Sequence, residues 1–174
     1  MSKLNLVRPD ETFFESYLGF ISEMRLLGEK IWEAHIPREF EVTASFVARL
    51  LRAETSPEAG LVSETSYWAI RDQEVVGRIA LRHMLNKNLE EFGGHIGYEV
   101  RPSARRKGIA TEMLRLVLQT PKAREIRRVL LTCAPDNEAS NRTIRKNGGI
   151  LNDTRFVEKI RRQTNYYWIE VPTS

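Results

Sequence analysis

Residues 105–110 read Arg105, Arg106, Lys107, Gly108, Ile109 and Ala110: three cations, then small residues at 108 and 110. Ile109, Met113, Leu114, Val117 and Leu118 follow at helical spacing, so a helix starts near Gly108. Gly108 and Ala110 leave the amide N–H groups of its first turn uncovered. Bare N–H groups at a helix N-terminus attract anions, and the neighbouring cations strengthen that field. A polyanion such as a pyrophosphate is the natural guest. Immediately upstream, residues 95–100 alternate as a strand, with Ile96, Tyr98 and Val100 on one face, and Pro102 stops it.

The pattern Arg105-x-x-Gly108-x-Ala110, set between a strand and a helix, resembles the [Arg/Gln]-x-x-Gly-x-[Gly/Ala] motif of the GNAT superfamily of N-acetyltransferases. The resemblance runs over residues 67–171. It takes in the next strand and the helix opened by Asn137-x-x-Ser140. Within the superfamily, the Ile96-Gly97-Tyr98 strand is similar to that of ribosomal-protein and other small N-acetyltransferases. The resemblance implies a mixed α/β (α+β) fold of the acyl-CoA N-acyltransferase type. That fold has a central, mostly antiparallel sheet of about seven strands flanked by helices, here in one domain over residues 1–174. It implies acetyl-CoA as cosubstrate. Arg105, Arg106, Lys107, Gly108, Ile109, Ala110 and Thr111 would hold the pyrophosphate. The backbone of Tyr98, Glu99 and Val100 would pair with the pantetheine arm as an added strand does. Asn137 and Ser140 would touch the same arm.

The implied reaction is direct attack of a primary amine on acetyl-CoA in a ternary complex. Many family members carry a tyrosine seven residues after the asparagine to protonate the departing thiolate. That position is Ile144 here, which has no proton to give. In the ribosomal-protein-type subgroup a serine three residues after the asparagine takes the part, and Ser140 stands there. The residue before Ile-Gly-Tyr is often a glutamate base; here it is His95, whose unperturbed pKa lies near neutrality. Glu99 shares its strand face and either orients it or acts through water. The catalytic candidates are therefore His95, Glu99 and Ser140. His83 closes the adjacent strand near the same cleft. His35 lies between two early helices, where the family builds its acceptor site. Asn137 also reads as a helix cap, Cys133 as a buried strand residue, and Tyr166, Tyr167 and Trp168 as core. No cluster has metal-ligand spacing.

The elements that must position these groups are legible in outline. Residues 4–8 form a short strand ended by Pro9. Asp10 caps a helix over 12–27, and Gly28 ends it. A second helix covers 43–54, and 56–66 is a polar loop. Strands at 67–71 and 75–81 form a hairpin. Residues 84–94 read as a loop. A strand over 128–133, a helix over 137–147 ended by Gly148 and Gly149, a strand beginning in 149–153 and a closing strand over 165–171 complete the chain. A doubly wound dinucleotide fold is excluded, because the glycine spacing is wrong and no βαβ units precede it.

The chain has 174 residues, 41% hydrophobic and 29% charged, an ordinary globular composition. No apolar run is long enough for a membrane span, and the N-terminus lacks a signal-peptide core. A single cysteine excludes a disulfide framework. These features predict a cytoplasmic protein with no membrane partner. The net charge is +4. Most of the cations cluster in or after the proposed CoA unit, so nucleic acid is not the expected partner. Dimers are common in such families, which makes a homodimer an expectation. Two other classes stay open: a non-catalytic acyl-CoA sensor, and a ribosome- or RNA-associated protein.

Overall fold

The structure is a computed structural model and describes residues 2–172. Strands β1 (Asn5–Val7), β2 (Glu64–Arg71), β3 (Glu74–Arg82) and β4 (Ile96–Val100) form an antiparallel sheet in the order β1-β2-β3-β4. Strands β5 (Arg128–Cys133), β6 (Ile150–Val157) and β7 (Arg162–Glu170) form a second antiparallel sheet in the order β5-β7-β6. The seven strands thus make two sheets rather than one. The helices are α1 (Phe14–Leu26), α2 (Thr43–Arg52), α3 (Lys87–Glu91), α4 (Ile109–Leu118), α5 (Pro121–Ile126) and α6 (Glu138–Lys146). Asp72 and Gln73, both at positive φ, turn the β2–β3 hairpin. That is the backbone a twist-matched two-residue turn needs.

Strand alternation gives the first sheet two different faces. Trp68, Ile70 and Val75 meet Tyr17 and Phe20 of α1 and Phe46 of α2, with Tyr17 stacked on Trp68 at 4.3 Å. Ile79, Leu81 and Ile96 point the other way, onto Met113 and Leu114 of α4. Val129, Leu131, Tyr167 and Ile169 of the second sheet join that same core. Burial of each such side chain contributes about 1.5–3 kcal/mol. This shared core, more than strand pairing, keeps the two sheets side by side.

The sheets are joined at His95 and Leu130. The His95 N–H donates to the Leu130 carbonyl at 2.7 Å, and the Leu130 N–H donates to His95 Nδ1 at 2.9 Å. Beyond this joint, β4 is the edge of one sheet and β5 the edge of the other. Gly94 makes the joint possible. Its φ is +61°, and a Cβ there would lie 2.3 Å from the Leu130 oxygen. Gly94→Ala is therefore expected to lower stability by at least ~2 kcal/mol in urea unfolding. Gly28→Ala, also at positive φ but facing open space, should cost only about 1 kcal/mol.

Several elements differ from the sequence reading. The 84–94 segment contains α3, opened by the Asn86 side chain accepting from the Leu89 N–H at 3.0 Å. Helix α5 is opened by Thr120, which caps Ala123, with Pro121 at the first helical position. Both helices are too short to show periodicity. Strand β2 starts three residues earlier than expected. Strand β6 runs to Val157 with most of its side chains exposed, so it carries no alternating signal.

Candidate active site

A cleft of about 1050 Å³ opens at the N-terminus of α4, bounded by β4 and by α6. It is lined by Tyr98, Glu99, Val100, Arg105, Arg106, Gly108, Ile109, Ala110, Thr111, Asn137 and Ser140. The sequence thus named one continuous surface. Lys107 and His95 do not line it; the Lys107 ammonium turns back to the Ser103 carbonyl at 3.4 Å. Gly108 caps α4 in the left-handed region at φ 76°, which only glycine adopts at little cost. The first-turn amides have no partner within their own helix, and a helix start leaves them directed outward.

Arg105 plays a different part from its neighbours. Its guanidinium is bidentate on Glu29, at 2.6 Å for both bonds, and its Nε donates to the Val100 carbonyl at 3.1 Å. It ties the segment after α1 to the end of β4, and Glu29 neutralises its charge. Arg106, with Arg142 and Lys146 from α6, lines the cleft, and Arg142 Nη2 lies 3.9 Å from Glu138 Oε2. Arg142 and Lys146 lie one turn apart on α6 and share a helix face with Ala139, which also lines the cleft, so helical spacing from Ala139 would have found them. Met24, Glu29 and Lys30 also line the cleft, and no local signal marks them.

The backbone of β4 faces the gap beside this cleft. The Arg82 N–H donates to the His95 carbonyl and the Arg101 N–H to the Val76 carbonyl. By the antiparallel alternation, Gly97 and Glu99 bond toward β3, while the backbone groups of Tyr98 and Val100 face away from it. The Val100 carbonyl is taken by Arg105. The N–H and C=O of Tyr98 and the N–H of Val100 are therefore presented to the gap, as an added strand requires.

Side chains on the two faces of β4 have separate partners. The Tyr98 hydroxyl donates to Ser140 Oγ at 3.2 Å. Burial pushes the Tyr98 phenol up to about 12, against smaller opposing effects of hydrogen bonds to Ser140 and Thr143. Asn137 Oδ1 accepts from the Ser140 N–H at 3.1 Å and caps α6. The Ser140 hydroxyl keeps its own proton free to donate. On the opposite face Glu99 meets Arg78, which is 3% exposed. Arg78 Nη2 donates to Glu99 Oε1 at 2.9 Å. Its Nε lies 2.8 Å from Oε2 but off the line of a hydrogen bond, so that contact is one of charge.

His95 is buried at the joint. Burial first, and the Arg82 charge second, push its imidazole down to about 4. Its Nδ1 accepts from Leu130, so in the neutral ring Nε2 carries the proton. The unfolded chain takes up a proton near pH 6.5, the folded protein only near pH 4. Stability from His95 is therefore complete above about pH 6.5 and is lost as pH falls toward 4. His95→Gln should flatten the pH dependence of urea unfolding within that window. An unchanged slope would mean the imidazole does not stay neutral in the fold.

The remaining histidines go elsewhere. His83 Nε2 is 2.8 Å from Thr65 Oγ1, which donates to Glu54; His83 lines neither this cleft nor the second cavity described below. His35 is 1% exposed, with Nε2 2.7 Å from Glu64 Oε1. Burial and the Arg78 charge hold His35 low. Burial would raise the Glu64 carboxyl, but the His35 hydrogen bond and the Arg82 and Arg78 charges outweigh it and bring it to about 2. Cys133 is a free, buried thiol raised to about 11 by burial. Tyr167 donates to Asn141 Oδ1 at 2.6 Å, and Tyr166 to the Glu91 carbonyl. Among the described residues no group of three His, Cys, Asp or Glu could hold a metal ion, and no helix is long and apolar enough to cross a membrane.

Two sheets joined at His95 and Leu130, with a glycine-capped helix start beside the gap, define an acyl-CoA-dependent transferase architecture. The family model for the acetyltransferase (GNAT) domain matches residues 4–150, and the chain belongs to that family. Similar solved structures include the microcin C7 self-immunity acetyltransferase in complex with acetyl-CoA and AMP. It is 16% identical, with a TM-score of 0.69 over 97% of this chain and 93% of that one. The Salmonella typhimurium acetyltransferase that modifies the N-terminal serine of ribosomal protein L7/L12 is 19% identical, with a TM-score of 0.66 over 99% and 97%. A GNAT-family acetyltransferase from Bacillus anthracis is also 19% identical, with a TM-score of 0.67 over 98% and 96%. No curated protein matches the chain in sequence.

Proposed function

We propose that this chain is a single-domain N-acetyltransferase that moves the acetyl group of acetyl-CoA to a primary amine within a ternary complex. The observation that carries this reading is the free edge of β4, which runs from the joint into the cleft at α4. The first-turn amides of α4, with Arg106, Arg142 and Lys146, hold the phosphates. The Tyr98 and Val100 backbone groups pair with the pantetheine amides. That pairing brings the thioester beside Gly97 and Tyr98, where a β4 N–H meets its oxygen as negative charge develops.

Two proton movements are needed, and the faces of β4 divide them. An amine attacks only as the free base. Glu99, which lines the cleft on the acceptor face, takes that proton through water. His95 is poorly suited to the task, because Nδ1 is held by Leu130 and Nε2 already carries a proton; it positions the strand instead. On the other face Ser140 gives its proton to the departing thiolate, and Tyr98 donates a hydrogen bond to the Ser140 oxygen.

The test is release of CoA thiol from acetyl-CoA across simple amines, polyamines, aminoglycosides, amino acids and peptide N-termini. The peptides belong there because the Salmonella neighbour acts on one. CoA binding without amine-dependent release would make the protein a sensor. Ser140→Ala should lower turnover by up to about a hundredfold, since CoA thiolate is already a good leaving group. CoA affinity should stay within about twofold, because the Asn137 cap uses the Ser140 backbone, not its hydroxyl. Wild-type turnover in this variant would assign the hydroxyl to packing with Tyr98.

A further inference from the structure

A second cavity, of about 410 Å³, lies between α2, the segment after it, and the start of α3. It shares no lining residue with the cleft at α4. Its inner end is the cross-strand pair Glu64 and Arg82. Arg82 reaches over β4: its Nη2 lies 3.4 Å from where a Gly97 Cβ would be. The cavity therefore ends one residue from the Tyr98 backbone groups that face the gap, on the same face as Glu99.

Its walls are mostly apolar. Trp32 and Leu61 stand half exposed, with Leu50, Pro57 and Val62 beside them. Its charges are largely spoken for. Arg49 is satisfied by Glu41 and by the Ala34 and Ile36 carbonyls. Glu58 is paired with Arg38 at 2.5 Å. Glu64 is different: Oε1 lies 2.7 Å from His35 Nε2, but the nearest cation to Oε2, Arg82 Nε, stays 3.7 Å away. The cavity thus offers one carboxylate oxygen without a close partner, with the Arg52 and Arg82 guanidinium groups beside it to repel further positive charge.

We infer that this cavity is the acceptor pocket and takes a monoamine with an apolar body, its ammonium on Glu64 and its hydrocarbon or aromatic part against Trp32 and Leu61. Polycationic amines are disfavoured there, because a second ammonium would meet arginine instead of carboxylate. This rests on the acetyl-transfer reading for its place in the reaction, but amine binding can be measured without any transfer. The full-length protein saturated with CoA is titrated calorimetrically with phenethylamine and, separately, with spermine.

Phenethylamine should bind at least tenfold more tightly than spermine. Glu64→Gln and Trp32→Ala should each weaken phenethylamine at least fivefold and leave CoA affinity unchanged. In turnover both should raise the KM for the amine more than they lower kcat. Should Glu64→Gln fail to fold, Trp32→Ala at the exposed mouth decides alone. Equal or tighter spermine binding, or wild-type phenethylamine affinity in the folded variants, overturns the assignment. Amine binding that follows these substitutions without thiol release would keep the pocket and remove the acetyl-transfer reading. Amine-dependent thiol release indifferent to both substitutions would do the reverse.

Discussion

Gly108→Asp is expected to weaken CoA binding by more than tenfold while the protein stays folded. The residue caps α4 at φ 76°, and no heavy atom lies within 4 Å of a Cβ placed there. The new side chain therefore meets no clash. Aspartate tolerates the left-handed region better than most residues, at about 1 kcal/mol. Its carboxylate would enter the cleft between the first-turn amides and the phosphates. At an effective dielectric near 20, like unit charges about 5 Å apart repel by ~3 kcal/mol before screening. A tenfold loss needs only about 1.4 kcal/mol. Gly108→Asn has nearly the same shape and backbone tolerance without the charge, so it should lose much less. Calorimetry of CoA binding to the two folded variants decides the matter. Equal affinity in Gly108→Asp and wild type would remove the phosphates from this helix start.

Glu99→Gln is expected to have two effects that can be separated. It removes the charge facing Arg78, a guanidinium 3% exposed. Stranding one member of a buried pair costs roughly 3–5 kcal/mol. The glutamine amide can still accept from Arg78, which softens the loss. If Glu99 also takes the amine proton, kcat should fall by about 10²-fold or more. The double variant Arg78→Met with Glu99→Gln removes both charges, so most of the stability should return. Turnover should not return, because no base has been restored. Rates are best measured well below the melting temperature, with CoA affinity as the control. Recovery of turnover together with stability in the double variant would assign Glu99 to packing and leave the proton to solvent.

The strand–turn–helix around Gly108 is readable in the sequence because it is a local object. A strand, a turn with Gly108 and the first turn of α4 lie within a few residues, and backbone geometry there depends on which residues lack a bulky side chain. Ser140 and Asn137 were readable for the same reason, being fixed by their spacing on one helix. His95 reads as a base by residue type alone. Its proton affinity is set by Leu130, thirty-five residues away, which occupies Nδ1, and by burial that only the packed sheets create. The Arg105–Glu29 and Glu64–His35 pairs were likewise invisible, since each joins segments that only the fold brings together.

The sequence alone determined the strand–turn–helix around Gly108, the order of the main elements and the family to which they belong. Each of these follows from periodicity and from the backbone freedom of particular residues. Tertiary structure alone decided that the seven strands split into two sheets at His95 and Leu130, which residues pair across the gap, and where the second cavity lies. Those features depend on contacts between residues far apart in the chain, and such contacts leave no periodic trace in sequence.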